Sequence, residues 1–217
     1  ARYGHLDMCL ALMAEAVNPE NADGLTLLHA AATGGHLQIC NTILKRLRNE
    51  PNLLNPEDEL GSTPLHFAAE KGHVEVCEAI LNVASVKNPV NDVGRTPLHN
   101  AAKAGHDKIC SMIVYYIDDL NPCDEEGYTP FELAAQKGHL LVCEVMMSVM
   151  KDKNPKSQHP RIDKWWTPLH TAAAYGNLEV CNAIMNQIPV KNPKDFDGWI
   201  PLHSAAVAGH SSVCLTI

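Results

Sequence analysis

The stretch "TPLHNAAKAGH", beginning at Thr96, constrains this chain more than any other feature, because it recurs. "TLLHAAATGGH" starts at Thr26, "TPLHFAAEKGH" at Thr63, "TPFELAAQKGH" at Thr129, "TPLHTAAAYGN" at Thr167 and "IPLHSAAVAGH" at Ile200. The intervals are 37, 33, 33, 38 and 33 residues. The opening "ARYGHLDMC" matches the tail of the same pattern, and an Asn-Pro pair precedes each turn, at Asn18, Asn55, Asn88, Asn121, Asn154 and Asn192. A unit this short cannot hide its own apolar stripe, so copies of it must stack in a row.

Each unit has its own start and stop signals. Thr96 is a good N-cap and Pro97 sits at N1, where a missing N–H costs nothing. Ala101 and Ala102 let a neighbouring helix approach closely, and Gly105 ends the first helix with a residue free to take positive φ. A second helix opens at His106 and carries a broad apolar stripe of Ile109, Cys110 and Ile113, a pattern that suits a helix packed between copies of itself. The pair Asn88-Pro89 is expected to stop such a helix, and "VNDVGR" (90–95) reads as a turn. Apolar residues make up 46% of the chain but aromatic ones only 5%. Alanine and leucine therefore carry the burial, as closely spaced helices require.

The period also decides how the reactive residue types are read. Eleven of the twelve histidines occupy the TPLH or GH positions. Seven of the eight cysteines lie five residues after the glycine of the GH pair: Cys9, Cys40, Cys77, Cys110, Cys143, Cys181 and Cys214. A catalytic centre is unique in a chain, whereas a group repeated this often has a structural task. Equivalent positions on stacked helices lie about 8–10 Å apart, too far for a disulfide, which needs Cα atoms within about 7 Å. The cysteines are thus expected to be small buried apolar residues, and their number suits a reducing, intracellular setting, cytoplasmic or nuclear. Cys123, in the turn "NPCDEEG", is the exception and is expected to be of low reactivity beside its acidic neighbours. His159, in the insert "KSQHPRI", is expected to be solvated. No C-x-x-C, Walker loop, G-x-S-x-G or H-E-x-x-H occurs, so neither metal nor cofactor is expected and the chain does not read as an enzyme. The carboxylates at 57–59 and 124–126 read as solvated turn acids.

The pattern G-x-T-P-L-H-x-A-A-x-x-G-H at this period resembles the ankyrin repeat, over essentially the whole chain. The resemblance implies an all-α solenoid of antiparallel helix pairs joined by hairpin-like turns, one domain over 1–217 with repeats at 1–17, 18–54, 55–87, 88–120, 121–153, 154–191 and 192–217. It also implies that the TPLH histidines His29, His66, His99, His170 and His203 brace adjoining turns. Phe131-Glu132, Asn177 and Ile200 depart from the pattern and put single hydrogen bonds in question. The asparagine preceding each turn is a position that asparaginyl hydroxylases modify in some members; the proline that follows it here is expected to obstruct that.

Members of this family bind protein partners through the turn tips and the exposed face of the first helix. On those positions the expected contact residues are Arg95, Glu125, Glu126, Tyr128, Trp165, Trp166, Tyr175, Phe196 and Trp199. All three tryptophans fall on tips that the repeat pattern does not require to be aromatic, and aromatic residues are enriched in binding hot spots. The acidic tips favour a basic segment on the partner. Asp124 is expected to stabilise its own turn, and Trp165, standing where the turn glycine belongs, to change the shape of its loop. The net charge of −8 argues against nucleic-acid binding, and no apolar run approaches the length of a membrane span. No signal peptide is expected. Neither end carries a polar cap, so the chain reads as part of a longer array. The expected function is recognition or scaffolding of a protein partner. The rival is a regulatory subunit that inhibits an enzyme by masking its active site. The oligomeric state is not encoded in any feature of the sequence.

Overall fold

The computed structural model describes residues 19–50, 53–156 and 166–217. Twelve helices lie among them, two in each repeat. The first helices of the repeats are α1 (Leu27–Thr33), α3 (Pro64–Lys71), α5 (Pro97–Ala104), α7 (Pro130–Lys137), α9 (Pro168–Ala174) and α11 (Pro201–Ala208). The second helices are α2 (Leu37–Leu47), α4 (Val74–Val83), α6 (Asp107–Val114), α8 (Leu140–Val149), α10 (Leu178–Gln187) and α12 (Ser211–Thr216). First helices pack on first helices and second on second, and each packs on its own partner. This is the helix-pair solenoid expected from the repeat, and the sole strand pairing among the described residues is the isolated bridge of Glu20 with Thr26.

The core follows the stacking. Leu65, Leu98, Phe131 and Leu169 are fully buried at equivalent positions of successive first helices, beside the paired alanines. The second helices contribute Ile39, Val76, Ile109, Val142 and Val180, and next to them Cys40, Cys77, Cys110, Cys143 and Cys181 at 0% exposure. These five thiols form no disulfide, and burial pushes each up to about 12. They behave as small apolar side chains rather than nucleophiles. Cys123 and Cys214 are partly exposed.

Two histidine ladders run in opposite directions along the stack. In the first, the TPLH imidazole closes the capping box of its own helix. Nδ1 accepts the threonine N–H at 3.0 Å in His29, 3.0 Å in His66, 3.1 Å in His99 and 3.3 Å in His170. Because Nδ1 accepts, the ring proton sits on Nε2. From there it donates forward to the next repeat: to the carbonyls of Ser62 (2.9 Å), Arg95 (3.0 Å), Tyr128 (3.2 Å) and Trp199 (3.2 Å). Desolvation holds these rings neutral. It lowers His29 and His170, and takes His66 and His99 to about 4.

The second ladder points backward. His73, His106, His139 and His210 each donate through Nε2, at 3.1 Å, to the last turn of the preceding first helix, at the carbonyls of Thr33, Glu70, Lys103 and Ala174. Gly105 shows what this demands of the helix end. Its φ of 84° is the left-handed conformation of a helix terminator, and a Cβ there would come within 2.7 Å of the His139 ring. The glycine is needed both for the turn and for the space that the next repeat's imidazole fills.

The departures from the pattern are absorbed locally. Glu132 takes the histidine's place and Oε2 accepts the Thr129 N–H at 3.0 Å, so the capping box survives. Asn177 replaces a GH histidine and donates through Nδ2 to the carbonyls of both Ala135 (2.6 Å) and Gln136 (3.0 Å). Ile200 has no oxygen to offer, so only half of its box remains, the Ile200 N–H donating to His203 Nδ1 at 3.1 Å.

One expectation is corrected. The Asn-Pro pairs do not stop the second helices, which end several residues earlier: α4 at Val83 and α8 at Val149. Lys87 caps α4 by donating to the Leu81 carbonyl, and Lys153 caps α8 at Met147 and Met150. Two of the asparagines serve the following helix instead. Asn88 Oδ1 accepts the Leu98 N–H at 3.3 Å, and Asn154 Oδ1 the Leu169 N–H at 3.0 Å. An orphan donor of the first turn is thereby satisfied from outside the helix.

Candidate partner-binding face

The residue just before the capping threonine or its replacement runs Leu25, Ser62, Arg95, Tyr128, Trp166, Trp199 in successive repeats. Its backbone is held from two sides. Within the turn, an Asn or Asp side chain accepts its N–H: Asn91 from Arg95 (2.9 Å), Asp124 from Tyr128 (2.8 Å) and Asp195 from Trp199 (2.8 Å). Asp124 therefore does stabilise its own turn. From the neighbouring repeat, the TPLH histidine donates to the carbonyls of Arg95, Tyr128 and Trp199, as described above. Neighbouring turns are also tied directly, Asp92 N–H to Leu60 carbonyl (3.0 Å) and Glu125 N–H to Val93 carbonyl (3.1 Å). The side chains of Arg95, Tyr128 and Trp199 thus project from backbone that is already fixed.

The aromatic side chains on this edge are open to solvent to different degrees. Tyr175, Phe196 and Trp199 are 50%, 59% and 43% exposed, while Tyr128 and Trp166 are half-buried. Trp166 stacks on His170 with ring centroids 6.0 Å apart, and Trp199 tilts against His203 at 5.6 Å. Both indoles are therefore braced by the imidazole of their own repeat. Tyr175 belongs to the end of its first helix but reaches back to the preceding repeat, where Gln136 Nε2 donates to its hydroxyl at 2.7 Å. Its hydroxyl is close enough to be felt by Tyr128, whose phenol is raised by burial first and by Tyr175 second. The structure so brings Tyr128, Gln136 and Tyr175 together across a repeat boundary, with Trp166 and Trp199 on the turns that follow.

The charged candidates divide. Arg95 Nε donates to the buried Asp124 at 3.0 Å, and its Nη2 lies 3.6 Å from Glu126. Its charge is engaged within its own edge of the molecule. Glu125 and Asp197 are exposed. Trp165 and His159 lie outside the described residues. Sequence reasoning missed the tie between Gln136 and Tyr175, because nothing in the spacing of two residues 39 apart announces it. It also missed a groove of about 1090 Å³ between the loops after α8 and α10, where Lys151, Lys153, Lys156 and Lys194 gather around Ile188 and Val190. These lysines sit in the segments read only as helix stops.

Among the described residues no three His, Cys, Asp or Glu side chains converge as a metal site would require, and no helix is long and apolar enough to cross a membrane. No curated protein matches the chain. The family model for ankyrin repeats matches in three copies, over residues 1–91, 83–159 and 150–217. With a helix pair in every described repeat and the family model matching from residue 1 to residue 217, the chain belongs to the ankyrin-repeat family.

Proposed function

We propose that the chain recognises a protein partner through the turn edge and first-helix face of its later repeats. Ankyrin repeats generally serve as protein–protein interaction modules and are typically non-catalytic. The observation that carries the finer reading is the exposed Trp199 ring on backbone fixed from both sides, with the exposed rings of Tyr175 and Phe196 nearby. Tyr175, Phe196 and Trp199 are not needed to fill the core, and Gln136 and His203 hold Tyr175 and Trp199 in place, so those two lose little conformational freedom when a partner covers them. Glu125, Glu126 and Asp197 alongside favour a partner segment carrying Lys or Arg. Arg95 acts mainly by ordering the turn from which Tyr128 projects. The buried thiols suit a reducing compartment, and we place the protein inside the cell on that ground.

The test is a binding measurement with a partner identified by cross-linking. Trp166→Ala and Trp199→Ala should each weaken its affinity by about tenfold or more. Tyr115→Ala, on an exposed ring at the end of α6, should leave it unchanged. Unaltered affinity in both tryptophan variants would remove the assignment. Where the partner is an enzyme, its turnover in the presence of the chain separates masking from scaffolding.

A further inference from the structure

We propose that the segment taken by this face is a proline-rich strand in the polyproline II conformation, with a proline at every third position and basic residues between. The inference rests on the preceding reading of the face and adds the chemistry of what binds there.

Three features of the site point the same way. The first is spacing. Tyr128, Trp166 and Trp199 occupy one register position in three successive repeats, and repeats stacked through their helices advance by about 8–10 Å. A polyproline II helix rises about 3.1 Å per residue and turns once in three residues, so equivalent side chains recur every ~9 Å. One proline per repeat keeps step with one aromatic ring per repeat. An α-helix, with about 5.4 Å per turn, does not. Flat aromatic faces are also the surfaces on which proline rings pack in known modes of peptide recognition.

The second feature is a directed donor. Gln136 donates to the Tyr175 hydroxyl oxygen, so that oxygen is already an acceptor. The phenolic proton is left to point outward, and Tyr175 is half exposed. A polyproline II strand makes no internal hydrogen bonds, so each of its carbonyls needs a donor from water or from a receptor. The hydroxyl of Tyr175, set beside Tyr128, supplies one. The third feature is charge. Glu125 and Asp197 are exposed on the same turns as the aromatic rings, and each suits a lysine or arginine between the prolines.

The experiment compares two synthetic peptides of identical composition, built from proline, lysine and leucine. In one, proline falls at every third position; in the other the prolines are clustered at one end. Affinity for the full chain is measured by isothermal titration calorimetry. The periodic peptide should bind about tenfold tighter or better. Trp199→Ala should reduce that binding about tenfold, and Tyr175→Phe, which keeps the ring and removes the donor, about fivefold. Circular dichroism confirms that both variants are folded. Equal binding of the two peptides, or none by either, overturns the proline-rich assignment. Unchanged affinity in Tyr175→Phe overturns the role given to its hydroxyl. The broader reading of the face fails separately, if Trp166→Ala and Trp199→Ala leave an identified partner's affinity intact.

Discussion

Glu132 is the one carboxyl that this fold places where the other repeats, apart from the one opened by Ile200, carry a buried neutral ring below a threonine cap. It is 2% exposed, and desolvation raises it to about 7 even though it accepts a hydrogen bond from Thr129. For an acid raised in the folded state, ionisation favours the unfolded chain. The contribution is harmless below about pH 4.5, grows unfavourable as pH rises from there to about 7, and is constant above. The gap between about 4.5 when exposed and about 7 in place corresponds to about 3 kcal/mol at pH 8 and under ~1 kcal/mol at pH 5. Glu132→Gln keeps an oxygen for the Thr129 N–H but cannot ionise. Urea denaturation at pH 8 should show the variant more stable than the parent by about 3 kcal/mol, with the advantage falling below ~1 kcal/mol at pH 5. Any pH-independent effect of the new amide cancels in that difference, as do the histidines common to both chains. An advantage of the same size at pH 5 and pH 8 would refute the reasoning.

Two more outcomes follow from the ladders. Gly105→Ala should destabilise the array by about 2–3 kcal/mol in urea, because it forces alanine into left-handed backbone and drives into the His139 ring; Gly209→Ala, with a φ of 79° and nothing within 4 Å of the added carbon, should cost only about 1 kcal/mol. Acidification should weaken the fold because His66 and His99, held at about 4, bind protons only once unfolded. The stability they confer is complete above about pH 6.5 and is lost towards pH 4, by about 2 kcal/mol per ring at pH 5; their imidazole resonances should stay unprotonated at pH 5 in NMR titrations, and early titration of either ring would refute this.

The fold was legible in the sequence because its signals are local and repeated. Thr96, Pro97 and Gly105 act on the backbone within a few residues of themselves, and six copies of such a pattern leave no second interpretation. The cysteines were legible by the same route, since five-residue spacing from a glycine fixes a helix face. What escaped was side-chain direction. Asn88 stands just after one helix and just before another in the chain, and only the path of the loop shows that it serves the second. Lys87 looks like a surface charge until its ammonium is seen at the α4 terminus. The aromatic edge could be placed by register, but the reach of Tyr175 across to Gln136 depends on the tilt between repeats, which no spacing rule encodes.

The replacement of histidine by Glu132 matters mechanically. At every other joint described from α1 to α11, a forward imidazole ties one turn to the next, while a backward side chain ties the helix ends. Glu132 has no imidazole N–H to offer the Trp166 carbonyl, so among the described residues the joint between α7 and α9 is fastened at Asn177, where one amide serves two carbonyls. A ligand lying from Tyr128 to Trp199 would span that joint and add a second fastening along the turn edge.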